Sequence, residues 1–220
     1  MDWKFRALEP GDTPGLPVET RILFMRHGDH KGNVLTSEAV AMCRATGKAL
    51  KDSGIKIDEV LSSPAGRAVE TGLETLHGYG AMVYFYTDAR LGDMAVNTEG
   101  TAALKEVKTR AAARQLPGEE GLAVVMYDSA ENFTELTKRR GEEGADCLCG
   151  IALKNPGKTF LVPTHGVARM ENTIQALRGE DLHQPERLVD RCQIVELILN
   201  AGTGELVEEN WLEPVSVPAT

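Results

Sequence analysis

Two apolar runs, Ile22-Leu23-Phe24-Met25 and Phe160-Leu161-Val162-Pro163-Thr164, each end in a histidine followed by a glycine. The first closes on Arg26-His27-Gly28 and the second on His165-Gly166. Short apolar runs rich in β-formers and bounded by glycine read as strands. A strand's carboxyl end can expose an imidazole beside a backbone N–H, and two such ends point to covalent phosphoryl chemistry on histidine.

The chain has 220 residues, of which 42% are hydrophobic, enough to bury the core of a single domain. Residues 1–20 carry Pro10, Gly11, Pro14, Gly15 and Pro17 and read as an irregular arm, leaving residues 21–220 as the catalytic domain. A net charge of −9, from 24 basic and 33 acidic residues, argues against nucleic-acid or anionic-membrane partners. An anionic substrate must therefore meet a local cluster of positive charge. No apolar stretch approaches the roughly 20 residues that span a bilayer, and the N-terminus lacks a signal-peptide core, so a cytoplasmic location is expected. Cys43, Cys147, Cys149 and Cys192 lack zinc-ribbon or CxxC spacing and read as packing residues.

Helical spacing over Ala39 to Leu50 and over Ala65 to Leu76 predicts two helices, the second led in by Pro64 and ended by Gly78 and Gly80. Further strands are expected at Ile57 to Ser62 and Met82 to Tyr86, and a hairpin over Gln193–Asn200 and Glu205–Trp211. Helices are expected over Thr101 to Arg114 and Asn132 to Leu153. Alternating strands and helices make an α/β sandwich, and the terminal hairpin makes its sheet mixed.

Histidine-based phosphoryl transfer needs a neutral attacking imidazole, donors for three phosphoryl oxygens, an acid for the leaving oxygen and access for water. His27 is the candidate nucleophile, and Gly28 permits close backbone approach with an unobstructed N–H. Arg26 and Arg67 are candidate fork donors to phosphate, and His165 is a candidate second imidazole. Asn33 is a candidate neutral donor at the start of the first helix, where the macrodipole favours an anion. Lys138-Arg139-Arg140, flanked by Glu135, Glu142 and Glu143, reads as a salt-bridged helix face, and His30, His77 and His183 as surface or capping residues.

The blocks Leu23-Phe24-Met25-Arg26-His27-Gly28, Asn33, Leu35-Thr36, Ser62-Ser63-Pro64-Ala65-Gly66-Arg67-Ala68-Val69-Glu70-Thr71 and Thr164-His165-Gly166 resemble the histidine phosphatase superfamily, also called the phosphoglycerate mutase-like family. They stand in the family's order from about Arg21 to Trp211. The resemblance implies a three-layer α/β/α sandwich around a mostly parallel mixed sheet, and a phosphohistidine on His27. It also implies a phosphate pocket of Arg26, Arg67 and His165, with no metal or organic cofactor. The family's general acid is usually a Glu in a Leu-x-Glu motif; here Leu91-Gly92-Asp93 matches it, one methylene shorter. Glu99 and Asp29 are the alternative acids.

Three functions are open at this point: a phosphatase for small phosphomonoesters, a mutase of the phosphoglycerate type, and a non-catalytic phospho-ligand binding protein. Primer-dependent mutases carry basic helical segments that Lys105, Lys108, Arg110 and Arg114 do not match, so the phosphatase is favoured. Pocket walls are expected from residues 94–150, with Tyr127 and Phe133 as rim or core.

Overall fold

A computed structural model describes residues 18–93, 98–128, 133–167 and 169–216. In chain order the main elements are β1 (Glu19–Arg26), a small hairpin of β2 (His30–Lys31) and β3 (Val34–Leu35), α1 (Ser37–Asp52), β4 (Glu59–Ser62), α2 (Gly66–Tyr79) and β5 (Tyr84–Thr87). A 3-10 turn at Ala89–Leu91 follows, then α3 (Thr98–Ala113), α4 (Gly118–Tyr127) and α5 (Phe133–Lys154). β6 (Thr159–Thr164), α6 (Met170–Leu177), β7 (Ile194–Asn200) and β8 (Leu206–Trp211) complete the series.

The six-stranded sheet has the order β5-β4-β6-β1-β7-β8. β5, β4, β6 and β1 pair in parallel; β7 runs antiparallel to β1, and β8 antiparallel to β7. This is the expected mixed, mostly parallel sheet. β1 is buried along its whole length because alternate residues serve opposite faces. Ile22 and Phe24 pack with Phe160, Leu148 of α5 and Ile174 of α6, while Leu23 and Met25 pack with Leu161, Cys43 of α1 and Leu76 of α2. A third cluster joins Val107, Ala123, Met126, Phe133 and Leu136 of α3, α4 and α5. Among the described residues no helix is long and apolar enough to cross a membrane.

The structure revises several expected boundaries. β1 opens at Glu19, within the stretch read as an arm, of which residues 1–17 lie outside the described residues. α4 is a helix the sequence pattern does not signal, because Pro117, Gly118 and Gly121 break the helical spacing there. Tyr127 and Phe133 pack inward, the Tyr127 hydroxyl donating to Val167 O at 3.2 Å. Gly78 does not end α2, which continues to Tyr79 and is capped by Gly80 at φ +73°.

Gly78 is instead a close-packing residue, as is Gly47 of α1. A Cβ at Gly78 would stand 1.9 Å from Arg44 O, and one at Gly47 would stand 1.9 Å from Thr75 O. Each glycine thus lets backbone meet backbone between α1 and α2, and neither neighbour can yield as a side chain could. Gly78→Ala is expected to destabilise the protein by about 1–3 kcal/mol or more, measured as a lower urea midpoint at unchanged slope.

Candidate active site

Arg26 and Thr164 are register partners at the carboxyl ends of the neighbouring parallel strands β1 and β6. The next residues are His27 and His165, so the two imidazoles emerge side by side, their centroids 5.1 Å apart and their rings edge to face. Arg67 arrives from the first turn of α2, just beyond the Ser62-Ser63-Pro64 exit from β4. Asp93 follows the 3-10 turn, whose backbone is tied down twice. Thr164 Oγ1 donates to Leu91 O at 2.8 Å, and the buried Arg169 donates from Nε to Gly92 O at 2.9 Å.

His27 Nδ1 donates to its neighbour Gly28 O at 2.8 Å, a bond that only the Nδ1–H tautomer can make. The lone pair is therefore on Nε2, which accepts from Arg67 Nε at 3.1 Å. Arg191 Nη1 is 3.1 Å from both ring nitrogens, so this guanidinium lies against the imidazole. Burial, then His165, and then Arg191 and Arg67 lower the His27 pKa to about 2, against the opposing pull of the Gly28 carbonyl. The ring is neutral at any working pH.

Arg67 is the hub of the site. Its Nη1 donates to Asn33 Oδ1 at 3.2 Å, its Nη2 to the Asp93 carboxylate, and the same Nη2 to His165 Nδ1 at 3.1 Å. His165 consequently carries its proton on Nε2, which donates to Ser63 Oγ at 2.7 Å. Burial first, then Arg67 and Arg169, push its pKa well below the usual imidazole range. Arg26 is buried, with Nη1 on Val189 O at 2.6 Å and Nη2 on Glu119 Oε1 at 2.5 Å. Its Nε has no hydrogen-bond partner among the described residues.

Arg26, His27, Arg67, Asp93 and His165 all line one cavity of about 310 Å³. Leu104, Leu122 and Met126 of α3 and α4 form its apolar wall, within the stretch expected to supply it. A larger cavity, about 520 Å³, is lined by Glu171, Arg178, His183, Arg187 and Trp211 and shares no residue with the first. The chemistry follows the smaller cavity, because that is where the paired imidazoles and guanidiniums converge.

Two candidate residues act differently from their sequence reading. Asn33 is not at the start of α1 but in the turn between β2 and β3; Thr36 caps the helix, its Oγ1 accepting from Ala39 N at 3.2 Å. The Gly28 N–H is not free: it donates to Thr71 Oγ1 at 3.0 Å. Gly28 is required sterically, since a Cβ there would stand 2.8 Å from Ala39 Cβ and 3.1 Å from Cys192 Sγ. Gly166 is required for the same reason, a Cβ lying 2.4 Å from Arg26 Nε. Of the alternative acids, Glu99 pairs with Arg139 on the surface at 2.8 Å, and Asp29 is exposed.

Glu119 and Arg191 also line the cavity and escape the sequence reading, and so do His30, read as a surface or capping residue, and Lys108, read only as one of the cations on an Ala-rich helix. The His30 ring meets His27 edge to face at 4.9 Å between centroids. Arg191 Nη2 donates to Glu119 Oε1 at 2.5 Å. Nothing in their local sequence marks them, apart from Glu119 being an acid in the first turn of a helix, where acids are common.

A family model of the histidine phosphatase superfamily (branch 1) matches residues 19–212. Among solved structures, the chain resembles phosphoglycerate mutase from Bacillus anthracis, with 19% identity, a TM-score of 0.58, and 90% of this chain and 93% of that one covered. It also resembles phosphoserine phosphatase from Entamoeba histolytica in complex with 3-phosphoglyceric acid, with 17% identity, a TM-score of 0.57, and coverage of 87% and 96%. A third likeness is to a mycobacterial glucosyl-3-phosphoglycerate phosphatase, with 14% identity, a TM-score of 0.57, and coverage of 88% and 97%. At such identities these likenesses speak for the fold alone. No curated protein sequence is similar enough to stand beside them.

Two imidazoles held neutral have a measurable consequence. The unfolded chain protonates each near pH 6.5, while the native ring of His27 stays neutral down to about 2 and that of His165 well below the usual range. Below 6.5 the unfolded state therefore binds more protons, and stability falls as pH drops. His27→Asn should flatten that dependence between pH 6 and 4 by about 1.4 kcal/mol per pH unit, measured as the difference in slope from parallel urea titrations.

Proposed function

The chain belongs to the histidine phosphatase superfamily, and from that premise we propose that it hydrolyses small phosphomonoesters through a phosphohistidine on His27. The observation that carries this reading is the tautomer. With Nδ1–H committed to Gly28 O, the Nε2 lone pair points among guanidinium donors, as a nucleophile for phosphorus must.

In the first step His27 Nε2 attacks phosphorus in line as the bond to the ester oxygen breaks. Arg26 and Arg67 neutralise the phosphoryl oxygens, and the buried Nε–H of Arg26, without a protein partner among the described residues, supplies one donor. His165 adds a second imidazole to the cradle. Asp93, on Arg67 Nη2 and 3.9 Å from His165 Nδ1, gives its proton to the leaving oxygen. In the second step Asp93 takes a proton from water as the water oxygen attacks phosphorus, the N–P bond breaks, and inorganic phosphate leaves with His27 neutral again.

A cavity of about 310 Å³ suits a small phosphomonoester, and the solved structures of like fold include a phosphoserine phosphatase and a glucosyl-3-phosphoglycerate phosphatase. Hydrolysis is preferred to mutase chemistry because few basic residues face the cavity from α3. Arg110 pairs with Glu106 at 2.7 Å and Arg114 with Asp128 at 2.7 Å, leaving Lys108 as the α3 cation on the cavity wall.

His27→Ala should abolish turnover of p-nitrophenyl phosphate, measured in EDTA, while circular dichroism shows the fold intact; retained turnover would rule the mechanism out. Asp93→Asn should lower kcat by about 10²–10⁴-fold for alkyl phosphates and far less for the activated aryl ester. An equal loss on both would assign Asp93 to binding instead.

A further inference from the structure

Arg26 and Arg191 each place an Nη2 at 2.5 Å from the same atom, Glu119 Oε1. Two guanidinium donors converging on one anionic oxygen is the arrangement a phosphoryl oxygen seeks. The oxygen is also close to the reacting centre: the Arg191 guanidinium that holds it with Nη2 has its Nη1 at 3.1 Å from His27 Nε2. One guanidinium therefore spans the nucleophilic nitrogen and the carboxylate.

We propose that Glu119 is a resident anion of the catalytic cradle, standing on donors that a phosphoryl oxygen uses, and that substrate binds by displacing it. Arg191 is then a third phosphoryl-binding guanidinium beside Arg26 and Arg67. This inference rests on the phosphoryl-transfer reading of the cavity and deepens it.

The three partners differ in freedom to move. Arg26 is 4% exposed, fixed by Val189 O and packed against Gly166. Arg191 is held against the His27 ring. Glu119 is 37% exposed and sits in the first turn of α4, so its side chain can turn to water without unpacking the core. The carboxylate is the part that yields. Burial alone would raise its pKa, but Arg26 and Arg191 outweigh that and hold it below the usual carboxylate range, so protonation does not release it near neutral pH.

A specificity follows. The ligand must offer Arg26 and Arg191 more negative charge than the carboxylate it replaces, which a phosphomonoester dianion does and a phosphodiester monoanion does not. The ion pair also differs in purpose from one that only braces the fold. Glu119 lines the same cavity as His27, Arg67, Asp93 and His165, and its partners also contact the His27 ring and the Val189 carbonyl in the loop before β7.

The test is the affinity for inorganic phosphate and tungstate, measured by calorimetry at pH 7.5 on wild type, Glu119→Gln, Glu119→Ala and Arg191→Ala, each first checked for cooperative unfolding. Both Glu119 variants should bind phosphate about tenfold more tightly than wild type, since they remove a negative charge beside a bound dianion. Arg191→Ala should bind more weakly. If either folded Glu119 variant binds no better than wild type, or worse, Glu119 positions the arginines and the inference fails. If neither wild type nor the Glu119 variants bind either oxyanion, the phosphoryl-transfer reading itself fails, and this inference with it.

Discussion

The hydrogen bond from His27 N to Thr164 O, 2.9 Å long, continues the β1–β6 pairing beyond its last register partners, Arg26 and Thr164. Parallel strands leave their sheet at the same edge, so this pairing turns two distant His-Gly pairs into neighbours. α2 enters from β4, the other parallel partner of β6, and so brings Arg67 to the same edge. A ligand crevice outside the carboxyl ends of parallel strands is a general property of such sheets. An antiparallel pairing of β1 with β6 would send the two histidines to opposite ends, and no local rearrangement could restore the site.

The parts of the site that travel with strand ends were legible for that reason. His27, His165, Arg26 and Arg67 stand in short blocks whose local structure dictates where they point, and the structure gathers all four. Gly78 and Asn33 were misread because a glycine or an asparagine looks the same locally whether it ends a helix, begins one or permits a close tertiary approach. The Gly28 N–H looked available because its acceptor, Thr71, is brought in by α2 packing. Arg191 and Glu119 were invisible for a stronger reason. They are contributed by the approach to β7 and by a helix broken in sequence by Pro117, Gly118 and Gly121, and only the tertiary fold brings them to His27.

The electrostatics of the cavity serve binding and reactivity together. Arg26, Arg67, Lys108 and Arg191 line it, against Asp93 and Glu119. Cations beside an imidazole oppose its protonation, and burial does so more strongly, so the surroundings that would attract a phosphoryl group under the proposed function also keep the His27 imidazole neutral. An acidic chain of net charge −9 thus concentrates guanidiniums at one sheet edge, where low dielectric strengthens each contact.

Under the proposed mechanism, Asp93 as the acid in place of a longer Glu fits the same logic. A shorter side chain reaches less far, so its backbone must stand closer and hold still. Leu91 and Gly92 are fastened from beneath by Thr164, the last residue of β6, and by Arg169, a fully buried arginine at the start of α6. Arg169 also donates to Arg140 O and lies 3.7 Å from Glu143, which ties the Asp93 turn to α5 as well. With one rotatable bond fewer than Glu, Asp has less side-chain entropy to lose when Arg67 fixes its carboxylate. What the acid lacks in length, the buried arginine behind it supplies as position, and that arginine is set by the same β6 strand end that sets His165.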